Sequence, residues 1–196
     1  MQCTHKNIKT KKVSKEIFDM TFEAFTSICN DCGAILRDSA YERKYMHWLE
    51  EIYKTRRDKF QTQCHFSKNI IRCAETYLID YPGISPTVFM RALVTIYFNV
   101  IDRDEKKSTR LESLLDHEIL KSFTNDKDRK KVNIQFKPNM MIELVAVSEF
   151  LEMSTSAVVE EVVVKLMTVI TSHDQKLREY WENEIRGYLD MFLKAA

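Results

Sequence analysis

The sequence predicts a mainly α-helical fold with short strands, in which a strand-helix-helix unit occurs twice after a small cysteine-bearing hairpin. Three observations lead there. Only 3 Gly and 3 Pro in 196 residues favour long helices and few tight turns. The stretch from Lys131 to Ile170 reads as one strand followed by two helices. A stretch about 70 residues upstream repeats its apolar pattern.

In the downstream copy Val132, Ile134 and Phe136 alternate with Lys131, Asn133 and Gln135, the period of a half-buried strand. Lys137-Pro138-Asn139 opens a helix, with proline at an early position where its missing N–H is harmless. Met140, Met141, Leu144, Val147 and Leu151 are expected on its apolar face. The segment 152–156 breaks that pattern and offers Ser and Thr caps for a second helix over 157–170. The run Val162-Val163-Val164 suits a strand by propensity, but the length and the cap favour a helix that burial stabilises.

In the upstream copy 62–66 matches 132–136, Asn69 to Tyr81 matches the first helix, and Ile84 to Ile101 matches Met153 to Ile170. The offset is 70 residues and then 69, the difference falling at Pro82-Gly83. Identities are few: Phe66/Phe136, Asn69/Asn139, Ser85/Ser154, Val94/Val163, Val100/Val169 and Ile101/Ile170. Any two amphipathic helix pairs share part of such a pattern, but here strand phase, cap and turn coincide as well. Gly83 stands in the first inter-helix turn and Met153 in the second. Both second helices are apolar nearly all round and are expected at the centre of the core.

The strand phase puts Phe60, Thr62, Cys64 and Phe66 inward and Gln61, Gln63 and His65 outward. With Lys131, Asn133 and Gln135, the six outward residues can all hydrogen-bond and none is acidic. Gln and Asn can pair with adenine and Lys with guanine acceptors, which makes these six candidate base contacts. An ordinary solvated strand face is the other reading. The formal net charge is only +1, yet Lys54, Arg56, Arg57 and Lys59 precede the first strand and Lys127, Arg129, Lys130 and Lys131 lead into the second. Arg56, Arg57, Lys59, Arg129 and Lys130 are therefore candidate phosphate contacts; Asp58, Asp126 and Asp128 dilute both clusters.

Strand, helix and helix, twice over, resembles the ribbon-helix-helix DNA-binding family, across about residues 59–101 and 129–171. The resemblance implies two strands paired into a ribbon that enters the major groove, with this chain folding as an intramolecular pseudo-dimer. It implies backbone-phosphate contacts at the second helix starts, Ser85 and Thr87 in one copy and Ser154, Thr155 and Ser156 in the other, with Pro86 removing one donor. The implied function is a sequence-specific double-stranded DNA-binding transcription regulator, such as a repressor. Its partners would be DNA, the transcription machinery and a second copy of itself. The tandem arrangement is similar to regulators encoded by archaeal filamentous viruses. A protein-interaction or architectural DNA-coating role is the alternative. No phosphate-cradling glycine loop, open metal position or nucleophile triad argues for an enzyme.

Upstream, Cys3-Thr4-His5 and Cys29-Asn30-Asp31-Cys32-Gly33 have metal-ligand spacing. Flanking segments at 21–28 and 34–36 read as strands with the cysteine knuckle at their tip. The arrangement resembles a zinc ribbon over 1–38, which implies a structural zinc on Cys3, His5, Cys29 and Cys32. A redox pair and unliganded cysteines are other readings. Cys64 and Cys73 fall at apolar positions. An odd total of 5 Cys implies no disulfide framework and a reducing, cytoplasmic setting, and no apolar run reaches membrane-span length.

The remaining segments connect or extend these units. Ser39-Ala40-Tyr41-Glu42 fits a capping box for a connecting helix over 39–58, with Tyr41, Tyr45, Trp48, Leu49 and Ile52 on one face and His47 among them. Residues 102–128 form a linker with a short helix at 109–120 that carries His117. Residues 172–196 predict a last helix whose seam of Leu177, Trp181, Ile185, Tyr188 and Phe192 can pack on the protein's own core or against a second chain; self-packing is favoured, since an exposed seam of this size would be sticky.

Overall fold

A computed structural model of the chain describes residues 4–18, 20–36, 39–103, 117–125 and 127–195. They are mainly helical with short antiparallel strands. The chain divides into two units, Met1–Phe60 and Gln61–Ala196.

The first unit holds β1 (Ile8–Ile17), β2 (Met20–Cys29), β3 (Ile35–Leu36) and α1 (Ser39–Thr55). The strands form one antiparallel sheet in that order. β2 and β3 are the expected hairpin. β1 goes beyond the sequence reading, which had no strand over 8–17. Its lysines hide the alternation, and pairing with β2 along its whole length, from Ile8↔Cys29 to Ile17↔Met20, supplies the hydrogen bonds. Lys12 reaches Glu23 at 2.6 Å, and the Lys15 ammonium sits 4.8 Å from the Tyr45 ring centroid. Phe22, Ala24 and Thr26 on alternate β2 positions are buried, as are Tyr41, Tyr45, Leu49 and Ile52 of α1. Phe22 meets the rings of Tyr41, Tyr45 and Trp48 at 5.3–5.6 Å. The helix read as a connector is thus the other half of this small core. His47 is exposed.

The second unit runs β4 (Gln61–Ser67), α2 (Lys68–Tyr77), α3 (Pro86–Arg103), α4 (His117–Thr124), β5 (Arg129–Gln135), α5 (Pro138–Phe150), α6 (Thr155–Thr171) and α7 (Gln175–Ala195). Strand, helix, helix occurs twice in that order. β4 and β5 pair antiparallel from Gln61↔Gln135 to Ser67↔Arg129. Gln63 pairs with Asn133, its own counterpart at the 70-residue offset, so a local pseudo-two-fold axis passes between them. The inward residues Thr62, Cys64, Phe66, Ile134 and Phe136 are buried, as the strand phase requires.

A two-stranded ribbon cannot bury its own apolar face. Here the helices cover it crosswise: α6 packs on β4, α3 packs on β5, and α3 and α6 pack on each other. Met90, Leu93, Val94 and Val100 of α3 and Val159, Val162, Val163, Leu166 and Val169 of α6 are all buried. The valine run is helical because Val162 and Val163 are buried and Val164 is half-buried, so β-branching costs little against the burial gained. α7 packs along α3 and α6 and buries Trp181, Ile185 and Leu189. The self-packing expected for the last helix is therefore seen, although Leu189 replaces Tyr188 at the buried centre of the seam; Phe192 lies outside the residues whose side chains are described.

Local signals set the helix ends. The Ser67, Ser85 and Ser154 hydroxyls accept from the backbone N–H of Ile70, Val88 and Ala157 at 3.2–3.3 Å. α2 ends at Tyr77 and a tight 3₁₀ turn over Leu78–Asp80 replaces the last expected helical turn. The α5 face differs from the expected stripe: Met141, Leu144 and Ser148 are buried, whereas Leu151 caps the helix and is 48% exposed. Of the helix expected at 109–120, residues 109–116 lie outside the described residues, and 117–120 form the start of α4.

The second inter-helix turn corrects the alignment of the glycine. Gly83 has φ +96°, and the matching left-handed residue is Glu152 with φ +54°, not Met153. The Met153 N–H donates to the Ser148 carbonyl and the Glu152 N–H to the Glu149 carbonyl, at 2.9 and 3.3 Å. That is a Schellman ending with glutamate where glycine is usual. The exposed Glu152 side chain makes the backbone strain the main effect of substitution. Glu152→Gly is expected to stabilise the chain by about 1 kcal/mol, read as a higher urea midpoint at unchanged slope.

Candidate functional site

The ribbon exposes one face. Gln61, Gln63, His65, Lys131 and Asn133 are exposed and Gln135 is half-exposed, while their strand neighbours point into the core. The register brings the six together in three cross-strand pairs: Gln61 with Gln135, Gln63 with Asn133, and His65 with Lys131. Partners of this kind stand about 5 Å apart at Cβ, so each pair presents one joint set of donors and acceptors. A ribbon of two strands about 4.8 Å apart is narrow enough for the major groove, about 12 Å wide.

Both ribbon edges carry backbone groups with no ladder partner, and two side chains missed by the sequence reading meet them. The Glu160 carboxylate accepts from the His65 N–H at 2.7 Å and from the Arg129 guanidinium at 3.3 Å. On the other edge the Arg91 guanidinium donates to the Gln135 carbonyl at 3.5 Å. Arg91 and Glu160 are counterparts at the 69-residue offset, and His65 and Gln135 are counterparts at 70. The signal in the sequence was a charged residue at matched positions of two largely apolar helices. Arg129, expected to face phosphate, is thus engaged by Glu160, and Lys68 is paired with Asp128. Lys130 is exposed beside the ribbon end.

The second-helix starts lie beside this ribbon in one copy at least. Cys64, mid-β4, has its thiol 3.9 Å from the Ser156 carbonyl in the first turn of α6. Ser154 and Ser156 hydroxyls are 3.0 Å apart, and the Thr155 hydroxyl donates to Ser148 at 3.4 Å. Ser85 and Ser154 serve as caps, and Thr87 is half-buried at the start of α3. Arg56, Arg57 and Lys59 are exposed in the first unit, at and just beyond the end of α1.

A second cluster lies in the first unit. One ligand atom each from His5, Cys29 and Cys32 lie within 4.8 Å of one another, and the Cys32 thiol is 3.4 Å from His5 Nδ1. Cys29 is fully buried and Cys32 exposed. Gly33 has φ +73° and donates to the Cys29 carbonyl at 2.9 Å, while Cys29 N–H donates to Ala34. Asn7 ties the arm to the knuckle: its carbonyl accepts from the Asn30 N–H at 2.8 Å, and its side chain bonds Asn30 and Asp31. Two thiols and an imidazole this close suit a tetrahedral soft-ligand metal, whose ligand atoms stand roughly 3.5–4 Å apart. Cys3, the expected fourth ligand, lies outside the described residues.

Among the described residues no helix is long and apolar enough to cross a membrane. Comparison with family models, with curated proteins and with solved structures gave no match to this chain.

The two kinds of cysteine differ in chemistry. Burial, then the nearby Glu160 charge, pushes the Cys64 thiol up to about 12, so it stays protonated and unreactive near neutrality. In metal-free native protein at pH 8, iodoacetamide is expected to modify exposed Cys32 and leave Cys64 untouched until urea unfolds the chain. Peptide mass mapping reads the outcome, and native-state labelling of Cys64 would contradict its burial against α6.

Proposed function

We propose that the second unit is a ribbon-helix-helix module that binds double-stranded DNA sequence-specifically and regulates transcription by occupying its site. One observation carries this reading: the β4–β5 register gathers six hydrogen-bonding, non-acidic side chains on one solvent-facing ribbon surface. A solvated strand face with no function has no need to exclude Asp and Glu, whereas a surface facing phosphates does. Gln61, Gln63, His65, Lys131, Asn133 and Gln135 would read base edges. Lys130, the starts of α3 and α6, and Arg56, Arg57 and Lys59 would fix the register on phosphates. Arg129 would do so only by leaving Glu160. Because both strands belong to one chain, the protein would bind as a single-chain pseudo-dimer.

Replacing Gln63 and Asn133 together with Ala is expected to relax sequence preference, about tenfold or more at the central base pairs, with unaltered thermal stability. Arg56→Ala with Arg57→Ala is expected to weaken all duplexes alike and to lower the slope of log affinity on log salt by about 2. Binding assays over a salt series on specific and scrambled duplexes separate the two effects. An unchanged preference in the first variant would remove the groove assignment.

The first unit would hold a structural zinc ion on His5, Cys29, Cys32 and Cys3. With so small a core, metal binding would supply much of its folding energy. One equivalent of zinc is expected in the purified chain and none in Cys29→Ser with Cys32→Ser. The metal-free chain should also lose amide protection in β2 and β3; full protection without zinc would remove the structural role.

A protein-contact role draws support from adjacent exposed apolar side chains. Phe150 is 86% exposed and Leu151 48% exposed at the end of α5, an apolar pair that a partner could cover.

A further inference from the structure

We infer that the ribbon reads a polarised site, adenine at one end and guanine at the other, rather than the inverted repeat that a symmetric pair of strands would read. This rests on the DNA-binding reading above and deepens it.

The pseudo-two-fold axis makes Gln61 equivalent to Lys131, Gln63 to Asn133, and His65 to Gln135. Antiparallel pairing then sets the first outward residue of one strand against the third of the other. Two identical strands would put the same pair at both ends, and their site would be palindromic. Here the two ends differ. One end holds Gln61 and Gln135, two amides that each offer a donor and an acceptor, the match for adenine N6 and N7. The other holds His65 and Lys131, an imidazole N–H and an ammonium, the match for guanine O6 and N7. The centre, Gln63 with Asn133, is again amide against amide.

The contrast lies in the outward pairs themselves, because exposed cations flank both ends in sequence. Arg129 and Lys130 continue β5 past the His65–Lys131 end, while Lys59 precedes Gln61 and Lys137 follows Gln135 at the other, all four exposed. Near the His65–Lys131 end the Glu160 carboxylate accepts from the His65 backbone N–H and from the Arg129 guanidinium. At the amide end Arg91 is turned under the ribbon to the Gln135 carbonyl, away from the outward face. Among the six outward residues the one ammonium, Lys131, is therefore at one end. Outward residues recur every second position, about 6.7 Å along a strand. The end pairs are then about 13 Å apart, close to four steps of the 3.4 Å base-pair rise.

A single chain makes this divergence possible. In a homodimer, any change to the first outward position appears at both ends. In this chain Gln61 and Lys131 are separate positions in one sequence, and each end can be tuned alone.

The test is selection of bound duplexes from a random library, with the full chain at moderate salt. The wild-type chain is expected to enrich a non-palindromic motif with adenine preferred at one end and guanine about four base-pair steps away. His65→Gln with Lys131→Gln makes all three pairs amide. It should convert the guanine end to an adenine preference, give a nearly inverted-repeat motif and leave the other end unchanged. Gln61→Lys with Gln135→His should do the reverse, placing guanine at both ends. All four positions are exposed or half-exposed, so thermal melts should match wild type. Each converted end should shift base preference by about tenfold, the worth of one good bidentate contact. A wild-type motif with like ends, or a pair of substitutions that alters both ends equally, would overturn the polarity and leave DNA reading intact. Binding that enriches no sequence, or no binding, would overturn the proposed function and the polarity with it.

Discussion

The pairing of β4 with β5 is the constraint on which the second unit depends. Each strand alone has an apolar face and an unsatisfied ladder, and neither is stable in water as a single short segment. Seventy residues separate the paired positions Gln63 and Asn133. Closing a loop of that length costs entropy that grows only with the logarithm of its size. The return comes from what the pairing creates: a floor of Thr62, Cys64, Phe66, Ile134 and Phe136 on which α3 and α6 can bury their apolar surfaces. Without the ribbon, two helices apolar on nearly all sides would have nothing to close one side of their core.

Crosswise packing makes the two copies interdependent. α3 lies on β5 and α6 on β4, so neither strand-helix-helix copy holds its own complete core. The same crossing handles the ribbon's edges. A two-stranded ribbon has two edges, and both are liabilities for pairing with other chains. Glu160 and Arg91, at equivalent places on α6 and α3, reach up to the edge groups of His65 and Gln135. One uses an acceptor and the other a donor, so the pseudo-symmetry of the backbone is met by opposite charges.

The first unit solves a different problem with fewer residues. Its core is one sheet face against one helix, dominated by the rings of Phe22, Tyr41, Tyr45 and Trp48. At the far end of the sheet the apolar contacts give way to Cys29, His5 and the Asn7 hydrogen bonds. The buried Thr26 hydroxyl is satisfied by the Leu36 carbonyl, which also secures the short β3.

Much of this was legible in the sequence, and the limits have physical causes. Period-two alternation determined which residues of β4 and β5 face the core, because a one-residue slip would bury glutamines. Serine caps and the apolar runs determined where α3 and α6 lie. The Cys-Asn-Asp-Cys-Gly turn determined the knuckle, since only a left-handed residue such as Gly33 closes it without strain. What no local pattern carries is partnership. β1 emerges only because β2 offers it a ladder; its lysines say nothing of a strand by themselves. The left-handed residue of the second turn is Glu152 because the Schellman hydrogen bonds choose the position, not the residue type. Arg91 and Glu160 look like ordinary polar breaks until the opposite strand is placed above them. Which outward side chains share an end of the ribbon depends on the register between segments far apart in the chain. That register is decided by packing on both helices at once, and so by tertiary structure alone.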